Sequence, residues 1–203
     1  MELDFVNIHT HRPTGRGIEL RTAGIHPWRA EEYAVADADE LRRMLDGALT
    51  QAQAIGETGL DFARAVDRTA QERLFRAHAE LSASIRLPLV LHCVRAFEPV
   101  MKILGEYDIP GALFHGFIGS REQMRRAVEA GYYLSFGVRS LSSPKTLDAM
   151  RATPLARLFL ETDDDPAAIE SVYRAAAEAL GTDIGQLLET TNCNYGKLLG
   201  KKR

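Results

Sequence analysis

Six residues of this 203-residue sequence can bind a metal and stand where short apolar runs end: His9, His11, Glu57, His92, His115 and Asp163. Four imidazoles with two carboxylates suit zinc, manganese, cobalt or nickel better than calcium. In His9-Thr10-His11 the two rings are two residues apart, so on a strand they share a face and can chelate one ion. A satisfied structural pair explains the same spacing, and position decides between the two. Glu57 lies in Ile55-Gly56-Glu57-Thr58-Gly59-Leu60-Asp61, at the end of a buried run, where a lone carboxylate is costly unless it is paired or metal-bound. The glycines on both sides allow close approach of backbone or ligand. Asp61 reads as a supporting or loop-structuring acid. Leu89-Val90-Leu91-His92 and Leu113-Phe114-His115 repeat one pattern, an apolar strand and then a histidine. In Leu158-Phe159-Leu160-Glu161-Thr162-Asp163 either Glu161 or Asp163 can be the ligand, and Asp164 and Asp165 read as helix-capping acids. Two ions fit if Glu57 bridges them, and paired ions can activate a water and stabilise the leaving oxygen. Asp163 can both bind metal and take the proton of the attacking water. His78 falls inside a helical stretch and reads as structural. His26, in Gly24-Ile25-His26-Pro27, ends a strand and faces substrate rather than metal.

These residues must be brought together by the elements that carry them. Strands are expected over Asp4 to His9, Ile18 to Ile25, Ala54 to Glu57, Pro88 to Cys93, Ala112 to His115, Tyr132 to Phe136 and Leu158 to Glu161. Helices are expected over Asp39 to Gln53, Thr69 to Ile85, Phe97 to Tyr107, Ser120 to Ala130, Pro166 to Leu180 and Ile184 to Leu199. In the first, Leu41, Met44, Leu45, Ala48 and Leu49 form one stripe; in the second, Leu74, Ala77, His78 and Leu81 do. Ser120 with Gln123 has capping-box spacing. Strand alternating with helix implies βα units and a parallel sheet. The expected fold class is therefore α/β, a TIM-type (β/α) barrel whose active site lies at the carboxyl ends of its strands. A complete barrel has eight strands and roughly 250 residues, so this one is shortened or distorted, with about seven strands. The missing βα unit lies near the N-terminus, because Arg12 to Gly17 is too short for a helical crossover.

Composition bounds the alternatives. Residues 1–203 are expected to form a single domain of ordinary globular composition, 45% apolar and 26% charged. A net charge of −3 argues against extended tracking along duplex DNA. Cys93 and Cys193 are too few and too far apart for a disulfide framework, and a cytoplasmic location is expected. The Met1-Glu-Leu-Asp-Phe start has acids where a basic leader segment would be. No apolar stretch approaches the ~18 residues of a membrane span. Lys201-Lys202-Arg203 reads as a solvated tail. No protein partner is evident.

The ordered set of motifs resembles the TatD family of metal-dependent deoxyribonucleases, within the amidohydrolase-like barrel superfamily. The resemblance rests on His9-Thr-His11, Gly24-Ile-His-Pro27, Ile55-Gly-Glu-Thr-Gly-Leu-Asp61, Leu87-Pro88 through His92-Cys-Val-Arg95-Ala96, His115-Gly-Phe117 with Gly119, and Leu160-Glu-Thr-Asp163. It implies that His9, His11 and Asp163 bind one metal with Glu57 shared, that His92 and His115 complete a second site, and that His26 and Arg95 lie near the substrate. It implies hydrolysis of phosphodiester bonds, often from a 3′ end of DNA, with catalysis by Asp163 and Glu57 and one or two divalent ions from among zinc, manganese, magnesium, cobalt and nickel. The chain departs from the family at Asn7, where an Asp is usual, at Phe62, where a Tyr is usual, in the missing unit before Gly24, and in the short Asp164-Asp165-Pro166 segment after Asp163. The expected partner is a single-stranded DNA end. Trp28, Tyr33 and Phe62 can stack an unpaired base, and Arg12, Arg29, Arg95 and Arg139 can meet phosphates. Two other readings compete. A site of this kind can hydrolyse a small phosphate ester, lactone or aminoacyl ester, and a barrel can hold metal without catalysis. No lysine lies near a strand end, so a carbamylated-lysine bridge is excluded and Glu57 must take that place.

Overall fold

The computed structural model describes residues 3–200. The Lys201-Lys202-Arg203 tail therefore lies outside the described residues, as do Met1 and Glu2 of the N-terminal segment. The elements follow in the order β1 (Val6–Asn7), β2 (Ile18–Glu19), β3 (Thr22–Ala23), α1 (Ala38–Leu49), β4 (Ala54–Asp61), α2 (Arg68–Ile85), β5 (Leu89–Val94), α3 (Phe97–Leu104), β6 (Ala112–Phe114), α4 (Arg121–Glu129), β7 (Tyr133–Phe136), α5 (Val138–Leu141), α6 (Pro144–Ala152), β8 (Leu158–Leu160), α7 (Ile169–Leu180) and α8 (Ile184–Leu198). Parallel strands alternate with helices, as the sequence periodicity requires. The chain groups into two compact units: an inserted unit, Arg21–Leu113, and an N/C unit made of Met1–Leu20 with Phe114–Arg203.

In the inserted unit β4 is the axis. It pairs in parallel with β3 through Thr22–Ala54 and Ala23–Ile55, and with β5 from Ile55–Leu89 to Asp61–Val94. The register shifts between Ile55 and Thr58, so the segment that carries Glu57 bulges out of the ladder and is re-aimed. Close packing of β4 on β5 depends on glycine. A Cβ at Gly59, whose φ is +130°, would lie 2.1 Å from the His92 carbonyl oxygen. The two glycines of this motif thus serve backbone approach. Every residue of β4 is buried. Helix α2 covers this region with Leu74, Phe75 and Leu81, each at most 2% exposed. Fully burying side chains of this size contributes roughly 1.5–3 kcal/mol apiece. The expected stripe of α1 packs less completely: Leu41 is buried while Met44 is 45% exposed.

In the N/C unit β1 pairs with β2, and β7 pairs with β8, both in parallel. Beyond β1 the chain continues beside the end of β8. Ile8 N–H donates to the Leu160 carbonyl (3.1 Å), Asp163 N–H to His9 (3.1 Å), and His11 N–H to Asp163 (2.8 Å). The Tyr173 hydroxyl of α7 accepts from Val6 N–H (3.2 Å), donates to the Val6 carbonyl (3.1 Å) and meets Thr191 of α8 (2.8 Å). Val6, Ile8, Phe136, Phe159 and Leu160 of this unit are fully buried. Helix α4 starts with the expected capping box, Ser120 Oγ accepting from Gln123 N–H and Gln123 Oε1 from Ser120 N–H.

The structure refines the sequence reading in three places. The expected strand Ile18 to Ile25 is two short strands, each pairing with a different neighbour. The described residues therefore hold eight strands rather than about seven. Helices α5 and α6 fill the stretch between β7 and β8, and α7 begins at Ile169, with Pro166 in the loop before it. Among the described residues no helix is long and apolar enough to cross a membrane.

Candidate metal centre

In the N/C unit, His9 and His11 follow β1 and Asp163 follows β8. The backbone bonds described above fix the two segments side by side. Asp163 has φ 55°, a left-handed conformation that Asp tolerates better than most residues. This turns its carboxylate toward the imidazoles. His11 Nε2 lies 3.4 Å and His9 Nε2 3.7 Å from Asp163 Oδ1. These distances are long for hydrogen bonds. They match the spacing of ligand atoms around a tetrahedral ion, where donors roughly 2.1 Å from the metal stand roughly 3.4 Å apart. The three ligand atoms all lie within 4.8 Å of one another. Neutral imidazole lone pairs facing a carboxylate oxygen are what a bound cation satisfies, so the donor set fits a divalent ion.

His115 also belongs to this cluster, its ring centroid 4.2 Å from that of His9. Its Nδ1 lies 3.4 Å from Glu161 Oε1. Glu161 is fully buried and its other oxygen accepts the Ser135 hydroxyl. Burial alone would raise the Glu161 carboxyl, but the His115 hydrogen bond, the nearby His115 and His9 and the Ser135 hydroxyl outweigh it and hold it below the usual range. Asp163 moves the other way. Burial raises its pKa first, and repulsion from Glu161 and Asp164 adds to that against the opposing pull of His115 and His9. The two carboxylates of Leu160-Glu161-Thr162-Asp163 are thus driven apart in acidity.

In the inserted unit, Glu57 is held from two sides. His92 Nδ1 lies 2.7 Å and His26 Nε2 3.1 Å from Glu57 Oε1. Partners assign the tautomers. His26 Nδ1 accepts from Trp28 N–H (3.2 Å), so a neutral His26 carries its proton on Nε2 and donates it to Glu57. His26 therefore orients Glu57 in this arrangement. His92 is opposite: its Nε2 lies 3.0 Å from Asp61 Oδ2. Donation to Asp61 leaves the Nδ1 lone pair facing the Glu57 carboxylate, which again is a donor pair that suits a cation. Histidine ligands are commonly held this way by a carboxylate on the other ring nitrogen. Asp61 is itself fixed, accepting from the Trp28 indole N–H at 2.7 Å and from Ala63 N–H at 2.9 Å. Burial would raise its carboxyl, but these donors and His92 bring it below the usual range. Gln71 of α2 completes the loop, its Oε1 accepting from Asp61 N–H and its Nε2 donating to the Asp61 carbonyl.

Arg95, expected near substrate, is exposed at the end of β5 with φ 52°. Trp28 is 45% exposed, with its ring edge-on to His26 (4.6 Å) and the Arg64 guanidinium 4.0 Å over its face. His78 is structural, as expected: Nε2 accepts from Ile25 N–H and Nδ1 donates to the Leu74 carbonyl. Sequence reasoning left the choice between Glu161 and Asp163 open, and it did not see that Trp28 supports Asp61. The aromatic directly after His26-Pro27 was the available signal.

Comparison with known proteins gives a consistent picture. A family model described as TatD related DNase matches residues 17–200. The 3'-5' ssDNA/RNA exonuclease TatD of Citrobacter rodentium is 31% identical over 202 residues, covering 88% of this chain and 76% of that protein. The protein of the same name from Escherichia coli K12 is 29% identical, covering 88% and 77%. Among solved structures, YJJV, a TatD homolog from Escherichia coli K12, superposes with a TM-score of 0.79 at 26% identity over 89% of this chain and 76% of that one. A hydrolase TatD family protein from Entamoeba histolytica matches in fold with a TM-score of 0.77 at 20% identity, covering 91% and 76%.

Proposed function

From the premise that the chain belongs to the TatD related DNase family, with its TIM-barrel-like α/β fold, we propose that this enzyme is a metal-dependent hydrolase that shortens single-stranded nucleic acid from its 3′ end. The names of the curated relatives, 3'-5' ssDNA/RNA exonucleases, supply the substrate and direction. They favour this over a small-ester hydrolase and over a barrel that only stores metal. One observation carries the reading. Two imidazole nitrogens and a carboxylate oxygen of His9, His11 and Asp163 stand at ligand spacing, and Glu57 and His92 present a second donor pair. Because the family model runs through both units, the chain is read as one working domain.

His9, His11 and Asp163, with His115, would hold a divalent ion in the N/C unit, and Glu57 with His92 would do so in the inserted unit. When bound, such an ion lowers the pKa of a water and neutralises charge on the phosphate. The remaining work belongs to the protein. Asp163, raised by burial and by its acidic neighbours, receives the proton of the attacking water. Glu161 orients His115, His26 orients Glu57, and Asp61 with Trp28 orients His92. Arg95 and His26 contact the strand.

The test is digestion of an end-labelled single-stranded DNA and a matching RNA by chelator-stripped protein, with manganese, magnesium, zinc, cobalt or nickel restored singly. Stepwise shortening from the 3′ end that requires metal and is abolished by Glu57→Ala, with the variant's circular dichroism unchanged, supports the reading. Full activity of Glu57→Ala would refute the site assignment, and hydrolysis of a generic phosphodiester with oligonucleotides left intact would refute the substrate.

A further inference from the structure

The segment that replaces the missing βα unit is not a plain turn. Between β1 and β2, residues Arg12 and Arg16 form one wall of a cavity of about 220 Å³ in the N/C unit. Asn7, Thr162 and the loop from Asp165 to Glu170 form the rest. Glu19 of β2 pins the tip of the segment, accepting from Thr14 N–H (2.8 Å), the Thr14 hydroxyl (2.8 Å) and Gly15 N–H (3.1 Å). The backbone between the two arginines is therefore fixed at its tip. Among the described residues neither guanidinium has an ion-pair partner.

Two acids, Asp165 and Glu170, also line the cavity. Asp165 Oδ1 accepts from Ala167 N–H at 2.9 Å, and Glu170 belongs to the first turn of α7. That helix has Ala168 at its cap and no side-chain acceptor for its leading N–H groups. Asn7 and Thr162 are buried at 4% and 6% exposure. They bind each other reciprocally, Asn7 Nδ2 to Thr162 Oγ1 at 2.9 Å and Thr162 N–H to Asn7 Oδ1 at 3.0 Å. A primary amide has a second N–H to give. The neutral Asn7 adds no negative charge to the cavity, where a carboxylate would repel an anion. Asn7 lies two residues before His9, and Thr162 directly precedes Asp163, so the cavity adjoins the His9, His11 and Asp163 cluster.

Its donors are two fork-shaped cations, an amide and helix N–H groups, and its volume is below the roughly 300–1,000 Å³ of sites for whole small molecules. We propose that this cavity is a phosphate subsite that grips one uncleaved phosphate of the strand beside the metal centre, using Arg12 and Arg16. The identity of the phosphate's carrier rests on the nuclease reading; the chemistry of the subsite does not.

The experiment separates the two. Binding of a fluorescent single-stranded oligonucleotide to metal-free protein is measured against salt, for wild type and for Arg12→Gln/Arg16→Gln. Both side chains are exposed, so the variant keeps its fold. The variant is expected to bind roughly tenfold more weakly or worse, with the log–log salt slope reduced by roughly 0.7, the value for one phosphate that the protein no longer neutralises. Neutral methylphosphonate placed at each position in turn should weaken wild-type binding at one position and leave the variant indifferent there. Equal affinity and slope in the two proteins, or the same methylphosphonate profile in both, overturns the subsite while leaving the nuclease reading intact. If metal-free wild type binds no oligonucleotide, the nuclease reading is judged by the metal-restored digestion above, and calorimetry with inorganic phosphate decides the subsite. Phosphate uptake by wild type that is absent in the double variant supports it, and no uptake by wild type overturns it.

Discussion

Lowering the pH should destabilise this protein through a residue that does no chemistry. His78 is fully buried in α2 with both ring nitrogens engaged, Nε2 by Ile25 N–H at 3.0 Å and Nδ1 by the Leu74 carbonyl at 2.8 Å. An added proton must go onto Nε2, where it faces a donor and breaks the Ile25 bond. Burial accordingly lowers the pKa from 6.5 to about 4, against a smaller upward effect of the Leu74 bond. Above 6.5 both folded and unfolded chains are neutral at this site, and the fold keeps its full stability. Between 6.5 and 4 only the unfolded chain takes the proton, so stability falls as pH falls. Moving from about pH 7.5 to about pH 5.0 should cost about 2 kcal/mol at this residue, at 1.36 kcal/mol per unit. Urea unfolding of metal-stripped wild type and His78→Leu at both pH values measures it. The variant starts less stable, being without two buried hydrogen bonds, but its further destabilisation on acidification should be smaller than that of wild type by that amount. An equal drop in both proteins would refute the argument.

Four further outcomes follow from the packing around the donors. Asp61→Asn keeps the shape but replaces the acceptor of the His92 Nε2–H, and should weaken metal affinity roughly 10–100-fold by calorimetry; Trp28→Phe, which removes only the indole donor to Asp61, should give a smaller change in the same direction. Gly59→Ala forces a Cβ to 2.1 Å from the His92 carbonyl oxygen at a φ of +130°, and should destabilise by roughly 3 kcal/mol or more in urea, a wild-type midpoint being contrary to the proposed β4–β5 approach. Burial pushes the Cys93 thiol up to about 12, so in a Cys193→Ser background the folded protein should resist iodoacetamide near neutral pH, and rapid labelling would show that β5 opens.

Much of this protein is local and was therefore legible from its residues. The 3.6-residue stripe of α2, the capping box at Ser120 and the apolar runs ending in His92 and His115 each depend on neighbours a few positions away, and each stands in the structure where periodicity put it. The donor types and their strand-end positions indicated metal hydrolysis for the same reason. Tertiary pairing decided the rest. Ile18 to Ile25 reads as one apolar strand, yet its halves are separate because each finds a different partner. Alternation by two places Glu161 and Asp163 on one face. The left-handed backbone at Asp163, held by His9 and His11, sends the two acids to different histidines. Trp28 and Asp61 are 33 positions apart, and no period relates them; their hydrogen bond exists only because β4 and the His26 loop are packed together. Residue type and spacing determined which atoms can bind a cation. Which nitrogen of each ring is left to do so is set by hydrogen bonds that form only in the folded chain.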